Sequence, residues 1–504
     1  LCDWSSDVCS SDLTRATGNR SNLPAIWPLF RFLPPRQPRK LSEGANGCAF
    51  YPSTQLQGLI MSLGKLKQIA ISLAGVTPLL VASALTHAGN GPGGGGGGSV
   101  DDGDVVDTTL PGWTALLGSD TTDYGNDIAL DALGNIAVVG DTFGSVNGDI
   151  LQGSQDMFVA LYGPDGLLLW SDQLGSPDFD RYFGVHMDDF GNIYAIGSSS
   201  GSLGGTNLGS NDIVLTKYDA AGTLLWVRQL GSSGSDHGHS VSTDSLGDVY
   251  ICGETTGSFG ATNTTYNSDA YVAKLDTQGN LLWIDQFSSS FQLGEGEDCR
   301  DIVVDLNDNV YATGYTPGAL VEGASGAEFY VRKYDAAGAL DWTTQRDSVY
   351  ANEANAIAVD AAGNTYVAGT GGLDAAVSGL EDAFVVKFDA SGIEQWAQLL
   401  QSTGQESLNG VAVDDLGNVF AAGFTDGSLA AANDGDTDVI LARYDTNGTL
   451  LSVIQNATAS WDRANGIAVD AAGVDYHLAG TTDGDLDGEI SNGAYDLFVT
   501  QNRP

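Results

Sequence analysis

The sequence predicts an all-β fold: a closed ring of seven four-stranded sheets, a seven-bladed β-propeller whose N-terminal strand completes the last blade. Three observations predict it. Period-2 apolar runs alternate with Gly/Asp/Asn-rich turns, which is the pattern of strands and hairpins, and no long amphipathic helical run interrupts them. A first turn, Asp-x-x-Gly-Asn in its commonest form, recurs at Asp131, Asp188, Asp244, Asp305, Asp360, Asp414 and Asp470, 54 to 61 residues apart. A second turn ends on Gly166, Gly222, Gly279, Gly338, Gly392 and Gly448. A Trp follows four residues later at Trp170, Trp226, Trp283, Trp342 and Trp396, with Ser452 in the sixth place. Self-similarity at a fixed period means one supersecondary unit repeated in space.

Each unit supplies four strands, here A to D. Residues 188–231 show the sequence of parts: turn, IYAIG (strand B), a Gly/Ser/Asn loop, DIVLTKYD (C), turn, LLWVRQLG (D). Strand A is the run that ends at the first turn. A, B and C each occur seven times. The last C, DLFVTQN (496–502), has no D after it, whereas WTALLG (113–118) stands unpaired before the first A. Joining these ends makes seven full blades and leaves no long sheet edge. The turns have a local reason. Asp can accept N–H groups just ahead of it and Gly permits positive φ. At Asp308, the one replacement for that Gly, Asp is the better tolerated choice. The Trp residues are expected to pack between blades.

The pattern D-x-x-G-N-x-Y-V-x-G, D-A-F-V-x-K-Y-D, G-x-L-x-W resembles the SBBP-type β-propeller repeat family over about 390 residues. The resemblance implies an exported bacterial propeller and no particular activity. Ser452 (for Trp) and Val474 (for Asn) depart from it in the last two repeats.

The N-terminal quarter reads differently. Residues 1–60 are a leader foreign to the rest, with DWSSDVCSSDL (3–13) matching the translation of a sequencing adapter. Met61 opens a signal peptide (61–88): Lys65 and Lys67, then an apolar core, IAISLAGVTPLLVASAL, then small residues. Residues 89–104 form a Gly-rich, acidic linker, and 105–504 the propeller. Export to the cell surface, periplasm or medium is expected. No membrane insertion is expected after signal cleavage, and the chain is read as a monomer. The formal charge is −44, and the residues after 88 hold 60 acids against 12 bases. So acidic a surface repels nucleic acid and anionic membranes, which excludes both as partners.

Strand order assigns the short A–B and C–D turns to one face, and the variable B–C and D–A loops to the other. Function belongs on the loop face, near the channel. Eight residues before each first-turn Asp stand Asp123, Asp180, Asp236, Glu297, Asn352, Glu406 and Asp462. Strand C begins at Asp156, Asp212, Asp269, Glu328, Asp382, Asp438 and Asp496. Both sets are expected to cap loop N–H groups, with a cation-collecting rim as the alternative. Five residues before the turn, four blades carry Asn (126, 355, 409, 465), while blades 2 to 4 carry Phe183, His239 and Arg300. With Arg181, Tyr182 and His237 these form a candidate ligand-binding arc. Asp483-x-Asp485-x-Asp487-Gly resembles the first half of a calcium loop, which makes Ca²⁺ the one cofactor to expect. Cys252 and Cys299 are a disulfide candidate in an exported chain. The function expected is a non-catalytic binding scaffold for a glycan, a protein or a cell-envelope partner. The alternative is a calcium-dependent hydrolase or lyase acting at the channel mouth with the Asn ring.

Overall fold

In the computed structural model of the chain, the described residues are 112–502 apart from 264–266, 290–295, 325–326, 347–350, 374–380, 434, 457, 487–488 and 492. The leader, signal and linker therefore lie outside them. Within the compact unit Asp102–Pro504, the described residues form 28 strands in seven four-stranded antiparallel sheets. Blade 1 is Asp123–Leu130, Ile136–Thr142, Asp156–Tyr162 and Leu168–Leu174 in chain order. Blades 2 to 6 repeat that order. In blade 7 the outermost strand is Trp113–Leu117, paired antiparallel with Asp496–Asn502 from Trp113↔Gln501 to Leu117↔Leu497. The chain thus closes its own ring at the expected place.

Strands B and C are buried on both faces because neighbouring blades cover them; every residue of Ile136–Thr142 and Asp156–Tyr162 is buried. Apolar clusters accordingly span pairs of blades. Val139, Val159 and Leu161 of blade 1, for example, pack with Tyr182, Ile193 and Val214 of blade 2. This dry inter-blade packing is where most apolar area leaves water.

The turns work through their carboxylates. Asp188 Oδ1 accepts the Phe190 and Asn192 N–H groups at 2.9 Å each, and Oδ2 accepts Asn192 Nδ2 at 2.7 Å. Asp308 adopts φ +63° as expected, and its carboxylate also accepts Ser245 N (2.9 Å) and Oγ (3.0 Å) from blade 3. Blade 3 has Asp248 where its neighbours have Asn. Lys274 offsets the extra charge, with Nζ 2.9 Å from Asp244 and 3.1 Å from Asp248.

The D-strand Trp residues lie over the C–D hairpin glycine of the next blade, except that Arg228, stacked on Trp226, covers Gly279 in its place. A Cβ on Gly222 would lie 2.7 Å from Trp170, and one on Gly448 2.7 Å from Trp396. The indole N–H closes the contact, Trp170 Nε1 donating to Ala220 O (3.3 Å) and Trp396 Nε1 to Thr446 O (3.2 Å). Ser452 follows from the closure. Blade 7 takes its outer strand from the other end of the chain, so it has no C–D hairpin for a blade-6 Trp to cover.

Candidate functional site

All seven A strands line one central cavity of about 520 Å³. Each slips by one residue in its register with strand B. The residues at the slips are Asn126, Phe183, His239, Arg300, Asn355, Asn409 and Asn465. All seven line the cavity and all are half-buried. A β-bulge re-aims the extra side chain, and here it turns one residue per blade into the channel. The position that varies along the sequence is therefore one structural ring.

Most of this ring is spent on holding the blades together. Asn126 Nδ2 donates to Tyr182 O of the next blade (2.6 Å), Asn355 to Leu408 O (3.0 Å), Asn409 to Ala464 O (3.0 Å) and Asn465 to Gly125 O (2.7 Å). His239 does the same with Nδ1–H to Cys299 O at 3.0 Å. A carbonyl oxygen can only accept, so Nδ1 carries the proton of this bond, and the bond does not engage Nε2. Arg300 instead reaches the Asn355 carboxamide oxygen (2.7 Å) and pairs with Asp298 (2.9 Å) and Glu353 (2.8 Å). Its charge is answered within the wall. Phe183 cannot donate. It meets His239 edge-on at 5.7 Å between ring centroids and His237 at 6.4 Å, while the two imidazoles stack at 6.3 Å. His237 is held between Ser198 and Ser235 hydroxyls, each 3.1 Å away. Burial and the neighbouring His239 push its pKa down.

Two members of the expected arc stand elsewhere. Tyr182 is fully buried, its hydroxyl 2.7 Å from Thr216 Oγ1. It precedes the bulge, so it points between blades and belongs to the core. Arg181 is exposed and donates from Nε to Gln155 Oε1 at 3.0 Å. Cys252 and Cys299 form a disulfide, Cα–Cα 5.6 Å. Because Cys252 lies opposite Ser240 and Cys299 directly precedes Arg300, the bridge ties the bulges of blades 3 and 4 together. Of the calcium-loop carboxylates, Asp483 accepts Trp461 N (2.6 Å) and Asp485 accepts Ser491 N (3.0 Å). Asp487 lies outside the described residues. Among the described residues no three His, Cys, Asp or Glu side chains converge as a metal site.

Three channel residues carry more weight than their sequence positions suggest. Asp127 and Asp301 each follow a bulge, where other blades have Gly, Ala or Ser. Asp127 accepts Ile128 N and, across the seam, Val185 N, both at 2.8 Å; Asp301 accepts Ile302 N and Ile357 N, also at 2.8 Å. Desolvation pushes their pKa values up, to about 7 for Asp127 and about 6 for Asp301. They are inter-blade latches. His186, on strand A, bonds through Nε2 to Thr243 Oγ1 (3.0 Å), and burial lowers its pKa to about 4. A charge where the repeat has a small residue was the available signal for the two aspartates.

The acidic positions outside the channel cap loops. Ser119 N, Ser176 N and Ser232 N each donate at 2.6 Å to Asp123, Asp180 and Asp236. Those same residues' own N–H groups reach back to the preceding blade, Asp123 to Tyr495 O (2.8 Å), Asp180 to Gln155 O (2.9 Å) and Asp236 to Asn211 O (2.9 Å). At each of these seams the cap is thereby set beside the first residue of the neighbour's strand C.

Residues 225–260 match the SBBP family, described as a beta-propeller repeat. The chain is 26% identical over 241 residues to the regulatory protein FlaEY of Caulobacter vibrioides, covering 45% of this chain and 24% of that one. It is 22% identical over 271 residues to the uncharacterized WD repeat-containing protein L264 of Acanthamoeba polyphaga mimivirus, 47% of this chain and 16% of that one. It thus spans a quarter or less of these curated relatives. Among solved structures, it is similar to Chaetomium thermophilum Sqt1 bound to the N-terminus of ribosomal protein L10 (12% identity, 73% of this chain and 85% of that one, TM-score 0.40). It is also similar to the Neurospora crassa Pan2 WD40 domain (10% identity, 76% and 97%, TM-score 0.43).

Proposed function

We propose that this chain, a seven-bladed propeller built from the SBBP beta-propeller repeat, is a non-catalytic binding scaffold that recognises its partner at the loop-face mouth of the channel. One observation carries the reading. In a ring whose other members only stitch or neutralise one another, Phe183 makes no stitch, and it gathers His239 and, just outside the cavity lining, His237 into an aromatic group. His239 makes its stitch through Nδ1, and that bond does not engage Nε2. An aromatic edge and face beside an imidazole nitrogen suits a ligand that brings apolar C–H surface and a hydroxyl, which can donate or accept. A glycan has that chemistry. The acidic body disfavours an anionic one.

The signal-like segment at 61–88 and the Cys252–Cys299 bridge support an exported, oxidising setting. Calcium at the Asp483–Asp487 loop remains part of this proposal.

The test replaces the arc by the ring's own commonest residue. Phe183→Asn supplies the stitching donor that blade 2 lacks, and His239→Asn replaces one donor by another in blade 3. The double variant is expected to keep the wild-type melting temperature and to lose the glycans that the wild type retains on an array. Equal retention by the variant, or none by the wild type, would remove the proposal.

A further inference from the structure

The seams between blades pair acidic groups in a way that loop capping does not explain. At the seam of blades 2 and 3, Asp212 and Asp236 are both wholly buried. Asp236 accepts its cap from Ser232, and Asp212 Oδ2 accepts Leu208 N at 2.8 Å. Asp212 Oδ1 has no hydrogen-bond partner. It is aimed at its neighbour: the point where Gly231 would carry a Cβ lies 2.7 Å from Asp212 Oδ1 and 2.9 Å from Asp236 Oδ2. Two carboxylate oxygens converge beside a glycine that leaves the space clear.

The seam of blades 4 and 5 is an internal comparison. There Asn352 stands in the place of Asp236, and its Nδ2 donates to both oxygens of Glu328 at 3.0 Å. Where one partner is an amide, positive hydrogen fills the gap directly. Where both are acids, buried like charges require either a shared proton or a cation between them.

We propose that the blade 2–3 seam binds a hard divalent cation, calcium, between Asp212 Oδ1 and Asp236 Oδ2, with water completing the shell. Oxygen donors, two of them anionic, and a buried position are what such an ion takes. Asp269, in the register of Asp212 one blade on, also has an unpartnered, buried Oδ1. The role is to clamp neighbouring blades, apart from any ligand at the channel mouth.

Asp236→Asn reproduces the blade 4–5 solution. Native mass spectra of the full chain, titrated with calcium chloride, should show one bound calcium fewer in Asp236→Asn than in wild type, and the same in Asp212→Asn. A calcium bound at the Asp483 loop would be common to all three and cancels. Wild-type melting should rise in calcium relative to EDTA, and this measurement needs no variant to fold. An unchanged calcium count in the variants, no calcium on the wild type, or no rise in melting would each overturn the proposal. So would a wild-type stability indifferent to calcium that falls as pH rises through the pair's titration, the mark of a shared proton.

Discussion

His477 shows how one side chain can tie ring closure to pH. It occupies the strand B position that holds Tyr194, Tyr250, Tyr311 and Tyr366 in other blades, is 2% exposed, and lies 6.3 Å from Trp113 of the closing strand. Burial lowers its pKa from 6.5 to about 4, against a smaller pull from Asp475 and Asp470. A depressed histidine binds fewer protons folded than unfolded. Its neutral form therefore contributes fully above the unfolded value, and that contribution is lost as pH falls from about 6.5 to about 4. The loss is on the order of 3 kcal/mol from the size of the shift. His477→Tyr, which restores the repeat residue, should abolish it. Urea midpoints of wild type and variant at pH 7.5 and 4.5 check this, and equal acid sensitivity in the two would contradict it. In sequence, His477 is one His among five and carries no mark of its place. Only the strand register sets it beside Trp113.

At the scale of elements, the turns were the most legible part, because Asp-x-x-Gly states its geometry in its residue types. The bulges were not legible. Asn126, Phe183, His239 and Arg300 share no chemistry, and nothing local marks a register slip. Spacing from the turn placed them in one set, but that this set rings the channel, or that Asn there stitches blades, needed coordinates. The hairpin contacts give a paired prediction. Trp396→Ala empties the seat over Gly448 and should cost roughly 2–4 kcal/mol, somewhat less than a fully buried Trp because Trp396 is half-exposed. Ser452→Trp, despite restoring the repeat consensus, should change stability by no more than about 0.5 kcal/mol, since blade 7 offers no hairpin to cover. Chemical denaturation of both variants checks the pair; a clear gain from Ser452→Trp would mean the blade 6–7 seam is built like the others.

For the molecule as a whole, counting strands was enough to foresee the architecture: seven copies of A, B and C, with the seventh D displaced to the front. What counting could not foresee is how acidic the joints are. The net charge of −44 reads as surface, yet Asp123, Asp180, Asp212 and Asp236 are wholly buried at blade seams. The ring is therefore held by apolar packing, by side chains such as Asn465 and Asp127 that cross from blade to blade, and by whatever balances those carboxylates. All of this presumes closure by residues from the two ends of the propeller. Thr114 and Thr500 face each other across the closing pair, at a spacing a disulfide can bridge. The Thr114→Cys, Thr500→Cys double variant should oxidise to an intramolecular bond, read as a peptide joining residues 114 and 500 in a non-reducing digest, and should melt no lower than wild type. Free thiols at both positions in the folded, oxidised protein, or cross-linking only between chains, would show that the ring does not close this way.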